Sequence, residues 1–279
     1  MPLFFRYNAG NIVDVTTLRS TIAELSEFGV DTEYAILDAG YYSEGNIRSL
    51  YGEDNNGKTI PFLTRLGANL KLYKQLVEEH AEDLVKSKYM MMQRDRLLSV
   101  KRVEVSLFGH IGYAYIAIDH HRREDEIFKY AKSMLNSKDV SYDEMDDNIR
   151  KKGIFVLISS EQIETKDVMT LYYTRQTVEQ VFDVSKNYAD LLPLRVHNEE
   201  TFRGHLMLSF IATVVFLLIN QQLNGSAFNT EGAFLILRNQ KCKVFDDRIL
   251  PKEPNKNMNE IYKKLNITPP LFLTYGGKN

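Results

Sequence analysis

Apolar residues recur along the chain in two spacings, one typical of helices and one typical of buried strands. Within residues 15–28, Leu18, Ile22 and Leu25 lie at helical spacing, and Gly29 follows as a helix-ending residue. Short apolar runs predict strands at residues 3–7, 34–37, 61–66, 97–108, 111–119 and 154–158. Further helices are predicted at residues 44–50, 70–86 and 124–135, an acidic loop at residues 143–147, and loops beyond about residue 224. This order of elements predicts a mixed α/β fold.

The longest apolar run, residues 206–219, is the one segment that resembles a membrane span. It holds 14 residues, fewer than the roughly 20 that cross a bilayer, so it predicts a buried helix. The N-terminus lacks the basic, apolar and cleavage segments of a secretory signal. We therefore expect a cytoplasmic protein without a membrane partner. Cys242 is the only cysteine, so no disulfide forms within the chain, and we expect it to be buried.

The overall composition leaves binding to nucleic acid open. The 279 residues are 44% hydrophobic and 26% charged, which suits one large domain or two smaller ones. The net charge of −2 argues mildly against a nucleic-acid partner, because duplex binding draws on lysine and arginine. However, residues 86–102 carry six basic residues against one acid, a net charge of +5. That segment either follows a phosphate backbone or forms a solvated face, and the sequence favours neither interpretation.

A carboxylate lies at the tip of one predicted strand. Residues 34–37 are a short apolar run, and Asp38 follows it directly. Ligands bind at such strand ends in open α/β sheets, because the loops are exposed and the next helix offers its N-terminus. Ser43 is placed to cap that helix, which begins at about Glu44. By itself, an aspartate after a strand is more often a turn residue than a ligand.

A second group of polar residues lies within residues 169–190. If this segment is one helix, Tyr172, Arg175, Glu179 and Lys186 fall within an arc of about 60° on one side of it. One interpretation is an ordinary surface helix in which Arg175 and Glu179, four residues apart, form a weak ion pair. The other is a catalytic acid surrounded by phosphate contacts.

The spacing Tyr172-x2-Arg175-x3-Glu179-x6-Lys186 resembles the Y-R-E-K signature of one branch of bacterial insertion-sequence transposases. These are DNA strand-transfer enzymes with a ribonuclease-H-like fold and a DDE acidic triad. The resemblance implies that Glu179 is the third metal-binding acid and that Tyr172, Arg175 and Lys186 contact transposon-end DNA. Residues 38–46 resemble the D-x-G-[FY] block of the same family, which assigns the second acid to Asp38.

The resemblance also implies a domain organisation, a cofactor and partners. We expect a ribonuclease-H-like core at residues 1–69 and 153–225, a strand-containing insertion at residues 70–152, and a C-terminal extension at residues 226–279. Asp38 and Glu179 are expected to hold Mg²⁺ or Mn²⁺, because hard cations prefer carboxylate oxygens. The implied partners are double-stranded DNA, as transposon ends and target, and a second subunit in a homodimer on that DNA.

The family's first aspartate has no counterpart in this chain. In the family it lies upstream of a segment resembling residues 2–11, which is where this chain begins. Asp14 is the nearest acid, but its position before a predicted helix is typical of an N-cap. We therefore expect the C-terminal catalytic portion of a transposase. The alternatives are a truncated, non-catalytic remnant that binds DNA or a transposase and, more remotely, another ribonuclease-H-like nuclease or resolvase.

Overall fold

The computed structural model describes residues 1–7, 14–54, 57–136, 141–189, 191, 196 and 198–274. Contacts between residues divide the chain into two compact units. One, which we call the sheet unit, is Arg6–Gln176, and the other, the helical unit, combines Met1–Phe5 with Thr177–Asn279. Each unit is described by itself.

Within the described part of the sheet unit, six strands form one mixed sheet. They are β1 (Ala35–Leu37), β2 (Phe62–Arg65), β3 (Met90–Gln93), β4 (Arg96–Leu107), β5 (His110–Asp119) and β6 (Ile154–Ser159). Their order is β1-β2-β6-β5-β4-β3, with β1 and β2 parallel and the other neighbours antiparallel. The predicted fold class is confirmed, because a mixed sheet flanked by helices is consistent with a ribonuclease-H-like core.

Helices cover both faces of this sheet. The helices of the sheet unit are α1 (Leu18–Glu27), α2 (Glu44–Leu50), α3 (Lys71–His80), α4 (His120–Leu135), α5 (Tyr142–Arg150) and α6 (Thr165–Tyr173). One core cluster joins Ile116 and Val156 of the sheet to residues of α1, α2 and α3, and a second joins Tyr115 and Leu157 to α6. All six residues of β6 are buried, as expected for a strand with both faces covered.

The helical unit contains four helices and a small antiparallel sheet among its described residues. The helices are α7 (Gln176–Asn187, whose first residue belongs to the sheet unit), α8 (Glu199–Leu223), α9 (Thr230–Arg238) and α10 (Lys256–Lys264), and the strands are β7 (Cys242–Val244), β8 (Arg248–Pro251) and β9 (Leu273–Thr274). Leu223, Ala233 and Ile261 form a core between α8, α9 and α10. The hydroxyls of Ser185 and Thr213 lie 2.9 Å apart and join α7 to α8 inside the unit.

Helix α8 is longer than its apolar run indicated, and the prediction that this run is buried is wrong, because only Leu206, Ser209 and Thr213 of residues 206–219 are buried. The helix has 25 residues and a mean hydropathy of 2.0 over its most apolar window, of which 17% is buried. By length and composition it is the one helix of the described chain that could cross a membrane. A single such helix is weak evidence for a membrane protein, because core helices of soluble proteins pass the same test.

Four further predictions about local structure were wrong. Residues 3–7 form no strand, and residues 143–147 lie in α5 because Ser141 accepts a hydrogen bond from the Glu144 amide and caps a helix. The segment beyond residue 224 contains α9, α10 and three strands rather than mainly loops. Cys242 is exposed, because all three residues of strand β7 are open to solvent. By contrast, α2 has the predicted bounds, and Ser43 caps it by accepting a hydrogen bond from the Asn46 amide at 3.3 Å.

Candidate functional site

Asp38 lies immediately after β1, at the carboxyl end of that strand. Its side chain begins a short 3₁₀ turn, because Oδ1 accepts a hydrogen bond from the Ala39 amide at 2.7 Å. The backbone is also held from the neighbouring strand, where the Thr64 hydroxyl donates to the Asp38 carbonyl at 3.3 Å. Since β1 and β2 are parallel and Leu37 pairs with Thr64, the sheet fixes the position of this carboxylate.

Arg175, from the Y-R-E-K spacing, lies against Asp38. Its guanidinium is 3.0 Å from Asp38 Oδ1, and 24% of its side chain is exposed. Both the Ala39 amide and Arg175 use Oδ1, so Oδ2 is left without a protein partner among the described residues. The Asp38 side chain is 59% exposed, which leaves Oδ2 accessible to a ligand. The structure therefore brings together two of the predicted site residues, which are 137 positions apart in the sequence.

Tyr172 is a core residue, with 7% of its surface exposed. The Tyr172 ring stacks on the Phe155 ring, with the two centroids 6.3 Å apart. The Arg175 guanidinium lies 5.6 Å from the centroid of the Tyr172 ring. The described residues supply no hydrogen-bond partner for the Tyr172 hydroxyl. Tyr172 is thus a core residue whose ring lies beside the Arg175 guanidinium.

The predicted single helix over residues 169–190 is wrong, because the segment breaks at Thr174 and Arg175. Helix α6 ends at Tyr173 and α7 begins at Gln176. The Thr174 hydroxyl donates to the Leu171 carbonyl at 2.6 Å, and the Thr174 amide bonds to the same carbonyl, three residues back rather than four. This local competition for a helix carbonyl ends α6. Consequently Tyr172 and Glu179 lie on different helices rather than on one helix face.

Arg175 and three other arginines line a cavity of about 170 Å³, which we call the arginine pocket. Its lining residues are Arg65, Arg96, Arg122 and Arg175 with Asp119, Phe155, Tyr172, Tyr173 and Gln176. Arg96, Arg122 and Arg175 each contact a carboxylate, and the four guanidiniums outnumber these three acids. The cavity therefore has a net positive lining, which suits phosphate oxygens.

Sequence reasoning missed three of these arginines. Arg65 ends β2, Arg96 begins β4, and Arg122 lies in the first turn of α4, so no local spacing connects them. Arg96 was noted only as part of the basic run at residues 86–102. The antiparallel pairing of the strands brings the end of β2, the start of β4 and the start of α4 to the same end of the sheet.

Among the described residues, Asp119 is the only acid that lines the arginine pocket. Its side chain is 5% exposed and lies 3.0 Å from Arg96. It also caps α4, because Oδ1 accepts a hydrogen bond from the Arg122 amide at 3.2 Å. Burial raises the pKa of Tyr173, and the nearby charge of Asp119 raises that pKa further, so this phenol stays protonated at neutral pH. Asp119 therefore positions the Arg96 side chain, whereas the Arg122 guanidinium is held by Glu126 at 2.6 Å.

Glu179 and Lys186 lie on α7, in the helical unit. Both side chains are exposed, with Glu179 in the first turn and Lys186 in the last, an arrangement that the helix dipole stabilises. Asp38 belongs to the sheet unit and Glu179 to the helical unit, so each acid is described within its own unit.

Comparison with known families identifies the family to which these residues belong. A family described as the transposase DDE domain matches residues 1–215, which include Asp38, Arg175 and Glu179. The chain belongs to the DDE transposase family. No curated protein matches it. Membership implies a DNA substrate, nuclease and strand-transfer chemistry, and a general use of divalent metals in this transposase family.

The donor set of the transposase chain fits a divalent cation only in part. Asp38 offers Oδ2 at an exposed strand tip, which suits a hard cation. Among the described residues, however, no group of three or more histidine, cysteine, aspartate or glutamate side chains is placed to hold a metal. In the described part of the chain, Asp38 alone therefore does not make a complete metal site.

The basic run of this transposase, residues 86–102, is partly neutralised inside the sheet unit. Lys101 donates to Asp83 at 2.6 Å, and Lys86 lies against the same carboxylate. These two contacts lower the pKa of Asp83. Arg96, from the same run, lines the arginine pocket, where it lies 3.0 Å from Asp119.

Proposed function

We propose that this chain is the C-terminal catalytic portion of an insertion-sequence transposase of the Y-R-E-K branch. Its reaction is divalent-metal-dependent cleavage of DNA at the element's ends, followed by strand transfer into target DNA. The observation that carries the proposal is the contact between Asp38 and Arg175 beside the arginine pocket, in a chain of the DDE transposase family. This contact joins the two sequence blocks from which the resemblance was inferred.

Asp38 and Glu179 are the acids that we assign to the metal. When bound, Mg²⁺ or Mn²⁺ stabilises the negative charge that develops on the attacked phosphate and on its leaving oxygen. Arg175 holds Asp38 in place through Oδ1, which leaves Oδ2 for the cation. The DDE triad has a third acid, and we assign no described residue of this chain to that role.

Phosphate binding is the role that we propose for the arginine pocket. Arg65, Arg96 and Arg122 would receive non-bridging oxygens of the DNA backbone, and the Tyr172 hydroxyl would donate to the same strand. Guanidinium groups bind phosphate through paired N–H donors, and each contact gains strength in a partly enclosed cavity. Lys186, exposed on α7, would contact the end DNA as a point charge.

The remaining assignments follow the same proposal. Residues 1–69 and 153–225 form the ribonuclease-H-like core, residues 70–152 the insertion, and residues 226–279 an extension. Strands β3, β4 and β5 come from the insertion and continue the core sheet. We propose a cytoplasmic protein that acts as a homodimer on double-stranded DNA, without a membrane partner.

A non-catalytic remnant is the second candidate function. It is favoured by one observation, that the described residues contain no cluster of three potential metal ligands. In this case the arginine pocket would still bind DNA, and no strand would be cut.

A cleavage assay separates these candidates. End-labelled DNA with the element's terminal repeat is incubated with Mn²⁺ and either the 279-residue chain or a protein extended through the upstream reading frame. We expect the extended protein to nick and join DNA, and Asp38→Asn or Glu179→Gln to abolish both steps. Glu200→Gln, on exposed α8, is the matched control and should retain activity.

Each outcome of that assay has one interpretation. Activity of the extended protein that survives Glu179→Gln refutes the catalytic assignment. Failure of both proteins to cut, while they still bind DNA, identifies the remnant. Cleavage without any joined product indicates a nuclease or resolvase instead.

A further inference from the structure

The small sheet of the helical unit lies outside the residues matched by the transposase DDE domain. In this sheet β7 pairs with β8 in an antiparallel ladder, with Lys243 opposite Leu250 and Val244 opposite Ile249. The ladder extends beyond both strands. The Phe245 amide donates to the Arg248 carbonyl at 2.8 Å, and the Lys252 amide donates to the Lys241 carbonyl at 2.8 Å.

This register sorts the side chains onto two faces. Residues directly opposite each other in an antiparallel pair share a face, and so do alternate residues of one strand. One face, which we call the basic sheet face, therefore carries Lys241, Lys243, Phe245, Arg248, Leu250 and Lys252. All six are exposed. The opposite face carries Cys242, Val244, Ile249 and Pro251. Strand β9 adds Thr274 to the basic sheet face and Leu273 to the opposite face, because these residues pair with Arg248 and Ile249.

The basic sheet face holds four cations and no acid. Asp246 and Asp247 lie in the turn between the strands rather than on the face. The three lysines of the face make no ion pair within the described chain, whereas Arg248 lies 3.8 Å from Asp247. Residues 238–264 carry eight basic and four acidic residues, a net charge of +4 in a chain whose total is −2. Positive charge is therefore concentrated on this part of an otherwise acidic protein.

Phe245 adds an exposed aromatic ring to these charges. It is 44% exposed, and the Arg248 guanidinium lies 5.8 Å from its centroid. An exposed ring among cations is the arrangement by which proteins bind unpaired nucleic-acid strands, since bases stack on the ring and phosphates contact the cations. A duplex offers no free base face to such a ring.

We propose that the basic sheet face binds single-stranded DNA. One base stacks on Phe245, and the flanking phosphates contact Lys241, Lys243, Arg248 and Lys252. The choice of DNA rests on membership of the transposase family, whereas the site itself is independent of the roles proposed for Asp38 and Glu179. Failure of this proposal would therefore leave the proposed cleavage function intact, and the reverse also holds.

Stacking on Phe245 is tested directly by fluorescence. The chain contains no tryptophan, so Phe245→Trp places a single indole at the proposed site. We expect (dT)15 to quench the emission of this variant in a saturable way. Phe128→Trp, 69% exposed on α4, is the matched control and should not be quenched. Emission of Phe245→Trp that is unchanged by bound (dT)15 would overturn the stacking contact.

The charge contribution is tested with two double variants of equal charge. Lys243→Ala with Arg248→Ala removes two cations from the face, whereas Lys256→Ala with Lys264→Ala removes two from α10. By fluorescence anisotropy with labelled (dT)15, we expect the first pair to weaken binding about tenfold at low salt. It should also reduce the salt slope by about 1.4, at roughly 0.7 per lost contact.

The control pair should leave the salt slope unchanged. Far-UV circular dichroism verifies that both double variants are folded. Equal losses in the two pairs, or tighter binding of a 15-base-pair duplex or of (rU)15 than of (dT)15, would refute the proposal.

Discussion

Substitutions at Tyr172 distinguish a role in core packing from a role in DNA binding. With 7% of its surface exposed, its side chain buries nearly all of its area among Phe155, Val168 and Met169. An aromatic side chain buries about 150–250 Å², which at about 25 cal/mol per Å² corresponds to roughly 4–6 kcal/mol. Truncation of such a residue costs about 3–5 kcal/mol. We therefore expect Tyr172→Ala to reduce the free energy of unfolding of the sheet unit by about this amount.

Tyr172→Phe changes only the hydroxyl. Because that hydroxyl has no partner among the described residues, the variant should unfold within about 1 kcal/mol of the wild type. If the hydroxyl donates to a DNA phosphate, its loss should weaken DNA binding about two- to tenfold, the equivalent of one neutral hydrogen bond. Tyr172→Ala therefore reports on the stability of the fold, and Tyr172→Phe reports on DNA binding.

Urea unfolding followed by far-UV circular dichroism measures the stability, since the chain has no tryptophan. Fluorescence anisotropy with labelled end DNA measures binding. Tyr142→Ala is the control, because Tyr142 is 68% exposed on α5 and should change stability by less than about 0.5 kcal/mol. Tyr172→Ala as stable as the wild type would refute the core role, and unchanged DNA affinity in Tyr172→Phe would refute the hydroxyl contact.

Three further substitutions test a glycine conformation, a helix cap and an ion pair within the sheet unit. Gly153 has a φ of +73°, and an added Cβ would lie 2.5 Å from the Arg123 Cβ, so Gly153→Ala should lower the urea midpoint by the equivalent of about 1–3 kcal/mol. Asp119→Ala removes the α4 cap and should be about 1 kcal/mol less stable than Asp119→Asn, which retains an acceptor, in the same assay. The hydrogen bond from Lys101 lowers the pKa of Asp83, so the carboxylate stabilises the folded state above its usual pKa of 3.8. The difference in Tm between wild type and Asp83→Asn should therefore be full at pH 7 and decrease as pH falls below that value; a constant difference would contradict this.

Local sequence pattern was sufficient where one short segment settled the outcome. The apolar run before Asp38 predicted β1, and Ser43 followed by Glu44 predicted the start of α2, since a cap needs only neighbouring residues. It was insufficient at Thr174, where a hydroxyl bonded to a helix carbonyl ended α6 within a segment whose spacing favoured one continuous helix.

The sequence by itself determined the family, the mixed α/β class and the residue types available for chemistry at Asp38, Arg175 and Glu179. Those features depend on short spacings and on apolar periodicity, which are local. Only the tertiary structure decided that Arg175 pairs with Asp38 and that Tyr172 is buried. It alone also gathered Arg65, Arg96 and Arg122 into one pocket. The pairing of distant strands sets such contacts, because hydrogen bonds between strands align residues that no sequence spacing connects.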